Sequence, residues 1–243
     1  MQHSFNFGGR DQVLEAHERL LAAYGLPPAT LRLDPLSQLV LAMLGGRTVE
    51  AIGLRAFEAL ANRVSRWEEV LQLSQTEIES LIRNVTYASR KAMHVSQALA
   101  AIIRRRGRLD LNFLGQWSVD KALAWLQALP GVGPKSSAAV LNFSTLHQRA
   151  LVVDTHHWRA AQRLRLIPWR TPMATAANAL MRHCPDVWTA DDMETHHLLF
   201  KHLGQDCCRH GWPRCRACPL REMCPGSGWF QPRQIDCFYK NKS

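Results

Sequence analysis

The stretch LQALPGVGPKSS, residues 126 to 137, constrains the fold more than any other. Two prolines and two glycines within LPGVGP break any regular element there. Before the break, Ala122, Trp125, Leu126 and Leu129 recur at helical spacing. After it, KSSAAVL opens a second helix. The pattern describes two helices joined by a tight hairpin. Glycine permits positive φ and lets another part of the chain come close. The second helix then offers its first-turn N–H groups and the positive end of its dipole, which suit a phosphate oxygen. Gly131, Val132 and Gly133 are therefore candidate contacts for a nucleic-acid backbone, gripped without reading bases.

Helical signals run through most of the chain. Leu36, Leu39, Val40, Met43 and Leu44 form one stripe, preceded by Asp34-Pro35 as N-cap and first turn. Ser74 and Glu77 read as a capping box ahead of Ile78, Leu81 and Ile82. A long helix from about Ser89 ends in IIRRRG, with cations in the last turn and Gly107 to close it. Thr171-Pro172 opens a stripe of Met173, Ala176, Ala177, Leu180 and Met181. Met193, His196, His197, Phe200 and Leu203 form another, its histidines expected to be hydrogen-bonded at a domain interface. Only ALVVD, 150–154, reads as a strand, with no evident partner. The tail after Pro225 has no clear period.

Lys135 falls in the first turn after the hairpin, where the dipole disfavours a cation. That field, with some burial, leaves more free amine, and a free amine forms Schiff bases. Asp154 directly follows the apolar run LVV and precedes a helix near Thr155. It reads as an N-cap. A carboxylate held by helix N–H groups stays ionised and can stabilise a cationic transition state.

Cys208, Cys215, Cys218 and Cys224 crowd into one short segment of a chain with seven cysteines. Four thiolates at such spacing bind zinc or an iron–sulfur cluster. Cys207 adjoins the first of them; Cys184 and Cys237 stand apart. The formal net charge of +10 favours a polyanion partner. No apolar run is long enough to span a membrane and the N-terminus lacks a secretory core, so a cytoplasmic, nucleoid-associated protein is expected.

LPGVGPKSSA, VVDTHHWR and the x6, x2, x5 cysteine spacing, with Gly204 four residues before Cys208, together resemble the endonuclease III family of helix-hairpin-helix DNA glycosylases. The resemblance covers about residues 30 to 225. It implies an all-α, two-lobed fold: a six-helix barrel at 30–147, an iron–sulfur domain from 1–29 and 148–225, and a tail at 226–243. DNA would lie across the cleft between the lobes. Lys135 and Asp154 match the catalytic pair, and Cys208, Cys215, Cys218 and Cys224 match the ligands of a [4Fe-4S] cluster. The implied activity is a bifunctional glycosylase and AP lyase, a monomer acting on double-stranded DNA with damaged bases or abasic sites. Oxidised pyrimidines are the expected substrates.

The chain departs from the family in two places. A glutamine-bearing segment like LSAQATD is replaced by LGGRTVE, which puts Arg47 at or near the residue that fills the gap left by a flipped base. A G-x-Y-x-x-K-A segment is replaced by VTYASRKA, which puts Val85 at the glycine and Thr86 at the wedge. Arg47 and Thr86 are accordingly candidate DNA contacts, and the lesion spectrum stays open: mismatched uracil or thymine and alkylated bases are alternatives. A non-catalytic iron–sulfur DNA-binding or redox-sensing protein is the alternative from another class. Arg209, Arg214 and Arg216 are candidate phosphate contacts, and Arg104 to Arg106 read equally well as a solvated helix end.

Overall fold

The computed structural model describes residues 9–28 and 31–228. Cys237 and most of the tail lie outside them. In chain order the α-helices are α1 (Arg10–Tyr24), α2 (Pro35–Gly45), α3 (Glu50–Arg63), α4 (Gln75–Leu81), α5 (Ala88–Arg106), α6 (Val119–Gln127), α7 (Pro134–Phe143), α8 (Thr155–Arg163), α9 (Met173–Met181) and α10 (Ala190–Asp206). Short 3₁₀ turns at Trp67–Gln72 and Asn112–Gln116 link some of them. The described residues contain no strand; one isolated parallel bridge joins Leu33 and Ser144. The fold is all-α. The chain divides into two compact units, Thr30–Val152 and Met1–Ala29 with Val153–Ser243.

In the Thr30–Val152 unit, α2 is the central element. Leu39, Val40 and Leu44 are fully buried, and even Gln38 is covered. Neighbours on several sides leave α2 no polar face. Asp34 caps it, accepting from the Leu36 and Ser37 N–H groups at 3.0 and 3.1 Å. The capping box at Ser74 and Glu77 forms as the sequence predicts and opens α4. Gly107 closes α5 at φ 76°, a left-handed position that suits glycine. Leu99, Ile102, Leu114, Leu126 and Val140 complete one core with the α2 stripe.

Among the described residues Ala150–Asp154 forms no ladder. Leu151, Val152 and Val153 are instead buried as an irregular segment. Ala150 and Val152 join the core of the first unit, and Gln148 Nε2 donates to Leu114 O at 3.2 Å. The unit therefore runs to Val152, beyond the break expected after residue 147.

In the other unit, α1 buries Val13, Ala16, His17 and Leu20, and α10 buries Met193, Glu194, His196, His197, Leu199, Phe200, Leu203 and Gly204. A Thr189–Asp192 capping box starts α10. His196 and His197 lie inside this unit. His196 Nδ1 is 3.3 Å from His17 Nδ1, and the His196 ring packs on Trp188, His157 and Phe200 at centroid distances of 5.0, 5.1 and 4.6 Å. Among the described atoms, His196 Nε2 has no hydrogen-bond partner. Burial holds His196 well below the ordinary histidine value, and neighbouring His157, His17 and His197 add to the effect. Burial also lowers His17, against the pull of Asp192 and Glu18.

The folded state therefore binds fewer protons here than the unfolded chain. That stability is complete above the unfolded histidine value of about 6.5 and falls as the pH drops below it. Thermal unfolding followed from about pH 7.5 down to about pH 5 should show a falling Tm, with a shallower dependence in His196→Phe.

Candidate active site and cysteine cluster

The hairpin between α6 and α7 is closed by Leu129 N–H donating to Leu126 O at 3.0 Å and Val132 N–H donating to Leu129 O at 3.2 Å. Leu129 and Val132 are buried, so the turn is anchored by its apolar residues and shows its glycines outward. Any contact at Val132 falls to its backbone. Gly131 stands at φ 74°, and a Cβ there would meet His94 Cβ of α5 at 2.6 Å. Conformation and space both demand glycine. Pro134 takes the first helical position and Lys135 follows it, partly exposed, in the first turn of α7. Ser136 Oγ donates to Ala42 O at 3.4 Å, docking this turn on α2. Arg105 also serves the hairpin: it donates to Ala128 O at 2.9 Å at the end of α6 and lies over the Trp125 ring. Arg106 covers the Phe113 ring at 3.9 Å. The end of α5 is thus more than a solvated cationic tip.

Arg47 and Thr86 are both exposed. The structure ties their loops together through Thr48, whose Oγ1 accepts from the Thr86 N–H at 3.1 Å. Lys91 of α5 completes the tie. Its Nζ donates to Leu44 O at 2.5 Å, Gly46 O at 2.7 Å and Thr48 Oγ1 at 2.9 Å. Burial, and then the charge of Lys135, push the Lys91 amine down to about 8. Arg47 has φ 55° and Tyr87 has φ 60°. Bulky side chains rarely take such conformations, which concentrate at functional sites. Tyr87 is 55% exposed, with Arg90 Cζ 5.6 Å from its ring centroid. Tyr87 and Lys91 lie within the VTYASRKA segment, but reading along the chain gives neither a role. The signal is the left-handed backbone and the long-range bonds, neither visible in sequence.

Asp154, in the other unit from Lys135, caps α8. One carboxylate oxygen accepts from the His156 and His157 N–H groups at 2.9 and 2.8 Å. Burial is the largest single influence and opposes ionisation. His197, the His157 N–H and the His157 and His156 rings outweigh it together and hold the carboxyl below its usual range. The helix that starts at Asp154 also builds the cysteine loop. Arg159 donates to Cys208 O and Gly204 O, both at 2.8 Å. Arg163 donates to Arg209 O at 2.7 Å, His210 O at 3.0 Å and Cys208 Sγ at 3.4 Å. Gly204 lets α10 approach α8: a Cβ there would lie 2.5 Å from His156 Cβ and 2.9 Å from its Cα.

Cys208, Cys215, Cys218 and Cys224 line one hollow. Burial raises the last three thiols, Cys218 to about 12, and charge on neighbouring cysteines raises each further. Four mutually repelling thiolates need a cationic centre, so the donor set fits an iron–sulfur cluster or zinc. Cys207 borders the same hollow, but its Sγ lies 3.3 Å from Asp206 Oδ2 and 3.6 Å from Ala217 O. Arg209 and Arg214 are engaged at this loop, Arg209 with Asp206 O at 2.8 Å and Arg214 with Asp206 Oδ1 at 3.1 Å. Cys184 is buried.

Residues 40–186 match the HhH-GPD superfamily of base excision DNA repair proteins. Endonuclease III of Treponema pallidum is 30% identical over 210 residues, covering 85% of this chain and 92% of that one. A DNA glycosylase-like protein of Arabidopsis thaliana is 33% identical over 151 residues, 62% of this chain and 51% of that one; this chain thus spans about half of that relative's length. A solved non-covalent complex of endonuclease III with DNA has the same fold, with a TM-score of 0.75 at 20% identity, covering 90% of this chain and 97% of that one. The chain belongs to the endonuclease III family of helix-hairpin-helix DNA glycosylases, a base excision repair family.

Two outcomes follow. Gly204→Ala forces backbone apart between α8 and α10 and should cost about 1–3 kcal/mol, read by denaturant unfolding. Purified protein carrying an iron–sulfur cluster should be brown, absorbing near about 400 nm, with the colour lost in Cys215→Ser.

Proposed function

We propose that this protein is a bifunctional DNA glycosylase and AP lyase of base excision repair. It acts as a monomer, in the cytoplasm at the nucleoid, on double-stranded DNA carrying oxidised pyrimidines or abasic sites. The observation that carries the reading is the place of Lys135: the first turn of a helix entered through the LPGVGP hairpin, partly covered and close enough to Lys91 for their charges to interact.

The duplex is held through its backbone, with Gly131, Val132 and Gly133 and the first turn of α7 offering N–H groups to phosphate. The target nucleotide is flipped, at a cost of a few kcal/mol that is least for weakly paired bases. The neutral Lys135 amine attacks C1′; the C1′–N bond breaks and its electron pair leaves with the base, which takes up a proton. Asp154, kept ionised, stabilises the cationic sugar during this step. The nitrogen lone pair then forms the C=N bond as the C1′–O4′ bond breaks and O4′ takes up a proton, which gives a protonated Schiff base. Removal of a C2′ proton then expels the 3′ phosphate and nicks the strand. Cys208, Cys215, Cys218 and Cys224 would hold a [4Fe-4S] cluster, which when bound fixes the loop between them. Arg47 and Tyr87 stand exposed on two tied loops. Arg47 suits bidentate contact with the orphaned base, and the Tyr87 ring, in place of the Thr86 side chain, suits stacking in the gap.

The test is strand cleavage on duplexes with single lesions: an abasic site, thymine glycol, dihydrouracil, uracil opposite guanine, and an alkylated purine. Nicking at the abasic site and the oxidised pyrimidines should vanish in Lys135→Ala. Tyr87→Ala should weaken binding to lesion duplexes by about 1–3 kcal/mol. DNA binding without any nicking would replace this reading with a non-catalytic one.

A further inference from the structure

We propose that Lys91 is a positioning residue for Lys135: it fixes the loop after α2 and places a second cation beside the first turn of α7, so that the Lys135 amine is neutral near physiological pH. The proposal rests on the lyase reading above and goes beyond it by naming what activates the nucleophile.

The geometry comes first. All three Lys91 donors are engaged by oxygens of one short segment, Leu44 O, Gly46 O and Thr48 Oγ1. These acceptors are neutral, so they localise the ammonium without cancelling its charge. The same helix, α5, meets the hairpin one turn later, where His94 fills the space a Gly131 side chain would need. Ser136, next to Lys135, bonds to α2 at Ala42 O, two residues before the Leu44 carbonyl. The two amines are therefore held by the same framework of α2, α5 and α7.

The charges around Lys91 point the same way. α2 carries no ionisable side chain. Arg47 follows it, Glu50 and Arg55 lie on α3, Arg90 and His94 share α5 with Lys91, Glu77 and Glu79 lie on α4, and Asp120 and Lys121 lie on α6. The charge that bears on Lys91 is that of Lys135, and it disfavours protonation. Repulsion between two like charges is mutual, so Lys91 disfavours the ammonium form of Lys135 in turn. The α7 dipole acts in the same sense. A neighbouring cation is an established means of raising the free-amine fraction of a Schiff-base lysine.

The experiment titrates the Lys135 amine directly, by isotopic reductive methylation and NMR, with its signal assigned by loss in Lys135→Ala. Single-turnover borohydride trapping on an abasic-site duplex is followed against pH in parallel. Lys135 should titrate well below the ordinary lysine value of about 10.4. It should move up by about one unit or more in Lys91→Met and stay low in Lys91→Arg. Trapping at neutral pH should fall about tenfold in Lys91→Met and recover as the pH is raised. A loss that is equal at every pH, with an unmoved inflection, overturns the proposal. An ordinary Lys135 value in the wild type overturns it without any variant, so a Lys91→Met that fails to fold does not shield it. A wild type whose Lys135 titrates low but never traps keeps this proposal and removes the lyase reading. One that traps with an ordinary Lys135 does the reverse.

Discussion

The constraint on which the structure turns is the set of carbonyls left at helix ends. The last turn of an α-helix has no intrahelical donors, and a buried carbonyl without one is costly. In this chain cations supply them. Lys91 serves the end of α2, Arg105 the end of α6, Arg159 the end of α10, and Arg163 the cysteine loop that follows. Each is long enough to cross from a neighbouring helix, and each brings charge where a helix dipole is negative. Part of the positive excess is thus structural, and the +10 net charge overstates what faces a polyanion.

Two of these bonds connect architecture to chemistry. Lys91 gathers the Arg47 loop and, through Thr48, the Thr86 turn, so that two exposed tips with left-handed backbone share one support. Asp154 starts α8, and the same helix then sends Arg159 and Arg163 to the cysteine loop. A carboxylate and a cysteine loop far apart in sequence are thereby built on one rigid element. Glycine makes such closeness possible at two points. Gly131 against His94 and Gly204 against His156 are contacts that any side chain would break.

Much of this was legible along the chain. The α2 stripe, the Asp34 cap, the Ser74–Glu77 box, Gly107 and the hairpin all depend on residues within a few positions of one another, and all formed as read. α3 was not legible: Val49 before it supplies no side-chain cap, and Gly53, Ala56, Phe57 and Leu60 make a weak stripe whose small members owe their burial to neighbours. The histidines of α10 were legible as a stripe and misplaced in setting, because their partners His17 and His157 come from α1 and α8.

The sequence by itself determined what short-range geometry controls: helices along most of the chain, a glycine hairpin leading into Lys135, an N-capping Asp154 and four clustered thiols. Periodicity, caps and turn chemistry are local, so their physics is written in adjacent residues. Tertiary structure decided the rest. It put the charge of Lys91 next to that of Lys135, left the Tyr87 ring exposed beside Thr86, turned Val132 into the core and set Arg163 on Cys208. Each of these follows from how helices distant in sequence pack, and the energies of charge, burial and close contact depend on distance in space.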